Sequence, residues 1–260
     1  MTEITLLDGG MGQELVHRAG DKATPLWGTQ VMVDHPGMVE TVHRDYFAAG
    51  ATIATSNTYA IFRDRLDDTP YESRFAELND AAMAEAKAAA ADFDGARVAG
   101  AIGPIKASYR PDLHPDYDEA VKIYREKAQM TAPMSDLILC ETVGEPLADV
   151  LPYIGKASAV LINCSAPEAI KPALDILKAA GLPFGAYANG FEKITKEFLE
   201  DKPTVDALSA RRDLTPAAYA DHVMGWIDQG ATIVGGCCEV GPAHIKEIAE
   251  RLRAAGHTIV

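Results

Sequence analysis

Seven times along this chain a short apolar run ends in a polar or glycine-bearing turn and is followed by a stretch with apolar residues at helical spacing. The pairs are 4–8 with 36–49, 51–57 with 72–92, 97–103 with 117–130, and 136–141 with 145–155. They continue as 158–164 with 167–180, 184–189 with 215–229, and 231–235 with 242–254. Pro167 and Pro242 stand near helix starts and Gly181 just past a helix end, where proline and glycine respectively fit the backbone. Runs of Val, Ile, Leu and Ala without a polar face, each bounded by helices, imply a parallel sheet buried on both sides. The pattern predicts an α/β fold, a (β/α)8 TIM-type barrel in which seven strands are readable and one βα unit is short. A doubly wound sheet is the second architecture that fits.

A chain of 260 residues suits one such domain over 1–260, and no linker rich in Gly, Ser or Pro divides it. The net charge of −14 offers no basic footprint for phosphate backbones, which argues against nucleic acid and anionic membranes and for small-molecule partners. No apolar run reaches membrane-spanning length, and the start MTEITLLDGG lacks the pattern of a signal peptide, so a cytoplasmic location is expected. Four cysteines are too few for a disulfide scaffold. A reducing compartment leaves such thiols for packing, metal binding or catalysis.

Chemistry in parallel barrels sits at the carboxyl ends of the strands. Here those ends carry Asp8-Gly9-Gly10, Asn57-Thr58-Tyr59, Gly103-Pro104, Cys140-Glu141-Thr142, Asn163-Cys164-Ser165, Asn189-Gly190 and Gly236-Cys237-Cys238. A cysteine pair after a strand is, alone, as consistent with small buried residues as with a site. Cys164 at an equivalent strand end shifts the reading towards a metal centre, since three thiolates suit zinc with one position left open. Adjacent residues of a strand face opposite ways, so both Cys237 and Cys238 can ligate only if the backbone bends, and Gly235-Gly236 is expected to supply that freedom. Alternation turns Cys140 away from the side that Glu141 faces, which predicts a core cysteine.

The stretches LLDGGMGQEL, TSNTYA, AGAIGPIKASYRPD, ETV, LINCSAPEAI and GGCCEVGPAHI, in this order, resemble the homocysteine S-methyltransferases. The resemblance covers nearly the whole chain. It implies an enzyme that methylates the sulfur of homocysteine to give methionine, with a Zn2+ ion held by Cys164, Cys237 and Cys238. It further implies that Asp8 and Glu141 meet the substrate ammonium, that backbone amides of Gly10, Met11 and Gly12 meet its carboxylate, and that Asn163 belongs to the same substrate site. The chemistry agrees with the ligands: metal coordination deprotonates a thiol outright, and a thiolate shell keeps its sulfur electron-rich.

An onium methyl donor such as S-methylmethionine, S-adenosylmethionine or betaine carries a cation that aromatic faces stabilise. Trp27 and Tyr59 are the candidates, Trp27 in a loop resembling the donor side of the family, although a loop tryptophan also packs against a fold for its own sake. Trp226 reads as core. His35, His43 and His114 show no metal spacing and are assigned surface or capping roles, and the Ala-rich run 81–91 reads as a solvated helix face.

Two departures from the family stand out. Position 13 is Gln where the family usually has Thr. Between Glu141 and Cys164 there are too few residues for the helix and strand that the family places there, and the run 144–155 resembles the helix after that strand. A barrel one unit short must close on seven strands, keep an open edge, or cover the edge with a partner copy, which makes a homo-oligomer an expectation. The alternative to an enzyme is a zinc-binding barrel or partner-dependent module with little or no methyl transfer.

Overall fold

A computed structural model describes residues 2–200 and 202–260. In chain order the elements are β1 (Glu3–Leu6), α1 (Met11–Ala19), α2 (Gly28–Asp34), α3 (Met38–Ala49), β2 (Ile53–Thr55), α4 (Arg63–Leu66), α5 (Phe75–Ala90) and β3 (Arg97–Ile102). There follow α6 (Tyr117–Thr131), β4 (Leu137–Cys140), α7 (Leu147–Val150), β5 (Val160–Asn163), α8 (Pro167–Leu177) and β6 (Phe184–Ala188). The chain ends with α9 (Pro216–Asp228), β7 (Ile233–Gly236), α10 (Pro242–Ala254) and β8 (Thr258–Ile259). No described helix is long and apolar enough to cross a membrane.

All strand pairs within the sheets are parallel, in the orders β5-β6-β7-β1-β8 and β2-β3-β4. A single parallel bridge, Leu7 to Ile53, joins the two sheets. The seven expected strands are all present. β8 was not legible, since two residues carry no periodicity, yet it has a clear place. It takes the early half of one edge of β1, where Val260 N donates to Ile4 O, and β2 takes the later half, where Thr52 N donates to Leu6 O. Thr52 Oγ1 donates to Val260 O at 2.7 Å and locks the junction.

The main core lies between these strands and the helices outside them. Ile4, Leu6 and Val234 meet Val42 and Tyr46 of α3, Tyr219 and Trp226 of α9, and Ile245 and Ile248 of α10. Trp226 is fully buried, as expected, with its ring 5.9 Å from Tyr219 in an edge-on pair. The Ala-rich helix is solvated on one face only. Ala82, Met83, Ala86 and Ala89 are buried, because a row of small side chains lets α5 lie close against β3 and α3.

β4 and β5 do not pair. The segment after β4 yields only the short α7 and a 3-10 turn where a full helix over 145–155 was expected. The outer face of β4 is consequently uncovered: Ile138 and Cys140 are exposed, which corrects the reading of Cys140 as a core residue. Only the strand ends meet. Thr142 N donates to Asn163 Oδ1 at 3.0 Å and Asn163 Nδ2 donates to Thr142 Oγ1 at 3.1 Å.

Candidate active site

The carboxyl ends of β1, β2, β4, β5 and β7 open into one cavity of about 870 Å³, lined by Asp8, Trp27, Tyr59, Glu141, Cys164, Cys237 and Cys238 among others. Asp8, Glu141, Cys164, Cys237 and Cys238, far apart in sequence, reach it because each follows a strand of the parallel sheets, and Trp27 reaches it from the loop between α1 and α2. Backbone strain gathers here as well. Among described non-glycine residues with positive φ, Trp27, Asp68, Lys106, Tyr109, Thr142, Cys164 and Lys202 all line this cavity, and Glu239 follows directly on Cys238. Such conformations persist where surrounding contacts over-determine them, as at binding sites.

The three expected thiols meet. Cys164 Sγ and Cys237 Sγ each lie 3.9 Å from Cys238 Sγ, and all three are within 4.8 Å of one another. Tetrahedral zinc with Zn–S bonds of about 2.3 Å would set its sulfurs roughly 3.8 Å apart, so the donor set fits the ion. Hydrogen bonds from Cys237 and Cys238 hold the Cys164 thiol well below the usual range, while the same sharing pushes Cys237 and Cys238 up. Cys140 stands apart from the cluster.

The bend that aligns the adjacent pair arises differently from expectation. Gly235 and Gly236 keep ordinary φ values, and the chain turns after them, with Val240 N donating back to Cys237 O at 3.1 Å. Gly236 is needed for space: a Cβ there would sit 2.1 Å from Val240 Cγ1.

Two of the carboxyl groups lining the cavity, Asp8 and Glu141, stand at its strand ends. Asp8 accepts the Thr55 amide at 2.7 Å, and burial pushes it up to about 7 against that bond. Burial likewise raises Glu141 to about 8, helped by the charge of Cys164 and opposed by the Tyr187 hydroxyl beside it. Carboxyls raised by burial without a countercharge are suited to a cationic ligand group. At the start of α1, Gly10 N donates to Val240 O at 3.0 Å, so it is not available to a ligand. The Met11 and Gly12 amides, in the first turn of the helix, have no acceptor among the described residues. Asn163 lines the cavity, but both ends of its amide are taken up by Thr142.

On the outer side Trp27 and Tyr59 stand edge to face, ring centres 6.3 Å apart, and Tyr59 Oη shares a 2.8 Å hydrogen bond with Ser108. Sequence reasoning missed Tyr109, Tyr187, Phe191 and Phe198, which also line the cavity. Tyr109 Oη donates to Cys164 O at 3.3 Å and its ring meets Phe198. Its signal lay in the ASYRPD stretch, but nothing local to a loop tyrosine tells which way it points. His43, expected in a surface or capping role, is instead fully buried behind Asp8 within α3, because that helix turns this face to the core. His35 pairs with Asp21 at the surface and His114 is exposed, as expected.

The sequence matches the profile described as homocysteine S-methyltransferase over residues 5–148 and 142–252. The chain belongs to the homocysteine S-methyltransferase family. Among its relatives are the homocysteine S-methyltransferase of Escherichia coli strain K12, 28% identical over 306 residues, covering 96% of this chain and 95% of that protein. Homocysteine S-methyltransferase YbgG of Bacillus subtilis strain 168 is 25% identical, covering 96% and 95%. Crystal structures of the E. coli homocysteine methyltransferase MmuM share the fold. Its metallated form matches with a TM-score of 0.76 at 24% identity, covering 95% of this chain and 96% of that one, and its oxidized form with 0.76 at 25% over the same shares. The two family matches meet within residues 142–148, the segment after β4 where the unit expected of the family is shortened.

Proposed function

We propose that this protein transfers a methyl group from an onium donor to the thiol of homocysteine, giving methionine. The observation that carries the reading is the cluster of three thiols at a cavity that also holds the carboxyls of Asp8 and Glu141 and the rings of Trp27 and Tyr59. Cys164, Cys237 and Cys238 would hold Zn2+, the ion their number and softness suit. When bound, the ion would keep the substrate sulfur deprotonated and nucleophilic at neutral pH.

The chain's own groups account for the rest. Asp8 and Glu141 bind the substrate ammonium, which supplies the countercharge that both buried carboxyls lack. The Met11 and Gly12 amides receive the carboxylate at the positive end of α1. Asn163 serves by joining the ends of β4 and β5 and so fixing Cys164 beside Glu141. Trp27 and Tyr59 present ring faces to the donor cation, S-methylmethionine, S-adenosylmethionine or betaine. The carbon–sulfur bond forms as the donor's bond to methyl breaks, the pair staying with the donor, and the now neutral donor centre loses its attraction to the rings.

The strand order, with one bridge joining two parallel sheets and β4 meeting β5 only at their ends, supports reading residues 1–260 as a single (β/α) barrel domain one unit short. A site that needs three reduced thiols favours the cytoplasm.

The test is a donor panel with homocysteine in zinc-replete buffer, product detected by mass. Methionine with at least one cationic donor is expected. Retained zinc without turnover on any of them would leave a metal-binding module instead.

A further inference from the structure

We infer that Gln13 is a positioning residue for the methyl donor, acting by tying the indole of Trp27 to the loop that carries Cys237 and Cys238; the inference rests on the methyl-transfer reading above. Gln13 is 5% exposed and does not line the cavity, so whatever it does is done through its neighbours. Its Oε1 accepts from Trp27 Nε1 at 2.7 Å, and its Nε2 donates to Glu239 Oε1 at 2.5 Å. An indole N–H only donates and a carboxylate only accepts, so the residue between them must offer an acceptor at one end and a donor at the other. A glutamine amide does both. A threonine at this position would hold its hydroxyl two bonds closer to the backbone, too short to span the two partners.

The contacts around this bridge give it leverage. Trp27 sits at φ 50, directly before α2, in a conformation that a non-glycine residue holds only when its neighbours enforce it. One enforcing contact is the backbone of α1: a Cβ on Gly12 would lie 2.5 Å from the indole, so the ring rests on that glycine. The other is the Gln13 hydrogen bond. Glu239, at φ 64, follows Cys238 and also has His17 Nε2 at 3.6 Å. One side chain in the first turn of α1 therefore links the donor-side ring to the thiol loop. In this chain the face that Trp27 shows to the cavity is set by residue 13, which makes position 13 a determinant of donor binding.

The test uses the full chain with Gln13→Thr, whose hydroxyl is too short to bridge the two partners, and Gln13→Met, which keeps length and removes both hydrogen bonds. The chain has two tryptophans, so subtracting the spectrum of Trp27→Phe isolates the emission of Trp27. Both variants are expected to change that emission and raise its quenching by acrylamide. The donor KM should rise about three- to tenfold, the worth of one hydrogen bond, while homocysteine KM and zinc content change little. Unchanged Trp27 emission in both variants overturns the inference, as does an unchanged donor KM in an active protein, or a rise in homocysteine KM or loss of zinc equal to the donor effect. Absence of turnover in the unsubstituted protein would count against the methyl-transfer reading alone, since the emission arm needs no turnover.

Discussion

His43 Nδ1 lies 3.9 Å from Asp8 Oδ2, with His43 at 0% and Asp8 at 2% exposure. The contact has the spacing of an ion pair but not its charges. Burial raises Asp8 to about 7 and lowers His43 to about 3, and neither ring nitrogen of His43 has a hydrogen-bond partner among the described residues. Both groups are therefore held towards their neutral forms.

Their effects on stability have opposite signs. Between its ordinary value of 3.8 and about 7, Asp8 binds more protons folded than unfolded, so its contribution falls as pH rises through that window. Between 6.5 and about 3, His43 binds more protons unfolded, so its contribution falls as pH drops. In ligand-free protein, Asp8→Asn should make Tm climb more steeply with pH than in the parent, and His43→Gln should make it climb less. Matching slopes in all three proteins would show that the pair does not titrate in this way.

If Cys164, Cys237 and Cys238 hold zinc as proposed, removing any one of these thiols should remove the metal. Serine in place of Cys164, Cys237 or Cys238 offers a neutral hydroxyl where the site needs thiolate charge, so each variant should lose most of its zinc, as read by elemental analysis. Cys140→Ser, exposed on β4 and outside the cluster, should keep it. Full occupancy in Cys237→Ser would refute the ligand set.

Glu141→Gln keeps shape and removes charge. Homocysteine binding should weaken by about 1.5–3 kcal/mol, the range for a hydrogen bond to a charged group, with zinc retained. Calorimetry on the zinc-loaded protein measures both, and unaltered affinity would take Glu141 out of the substrate site.

For the donor, Tyr59→Ala should raise KM by about three- to thirtyfold, the span of cation–π energies, and leave homocysteine KM near its parent value. Tyr59→Phe keeps the ring while losing the Ser108 hydrogen bond and should behave like the parent. An alanine variant with unchanged donor kinetics would return this ring to a packing role.

Lys127 of α6 is fully buried with no carboxylate beside it. Its Nζ lies 2.7 Å from Thr58 O and 2.9 Å from Ile61 O and also meets Asn79 Oδ1, bracketing the Tyr59 segment from behind, while burial pushes its pKa well below the ordinary lysine value. Lys127→Ala leaves Ile61 O and Asn79 Oδ1 without a donor, Thr58 O keeping the Ile61 amide, and should cost about 2–4 kcal/mol in urea unfolding. A loss under half the lower figure would mean that water replaces the lysine nitrogen readily.

The parallel α/β architecture and the thiol cluster were legible because both follow from local pattern. Apolar runs alternating with helical segments define where strands end, and in a parallel sheet all strand ends of one sense open on one side. Asp8, Glu141, Cys164, Cys237 and Cys238 are thus brought to one cavity by their places after β1, β4, β5 and β7. The shortened segment after β4 was legible too, as a count of residues.

Periodicity says which face of an element is apolar, not which partner it meets. Tertiary structure alone decided that His43 backs Asp8, that Asn163 spends its amide on Thr142, and that Cys140 is left exposed where α7 is too short to cover β4. It also decided that Gln13 reaches Glu239, 226 positions away. Each of these depends on contacts between elements distant in sequence, and their geometry is set by how the whole core packs rather than by any local preference of the chain.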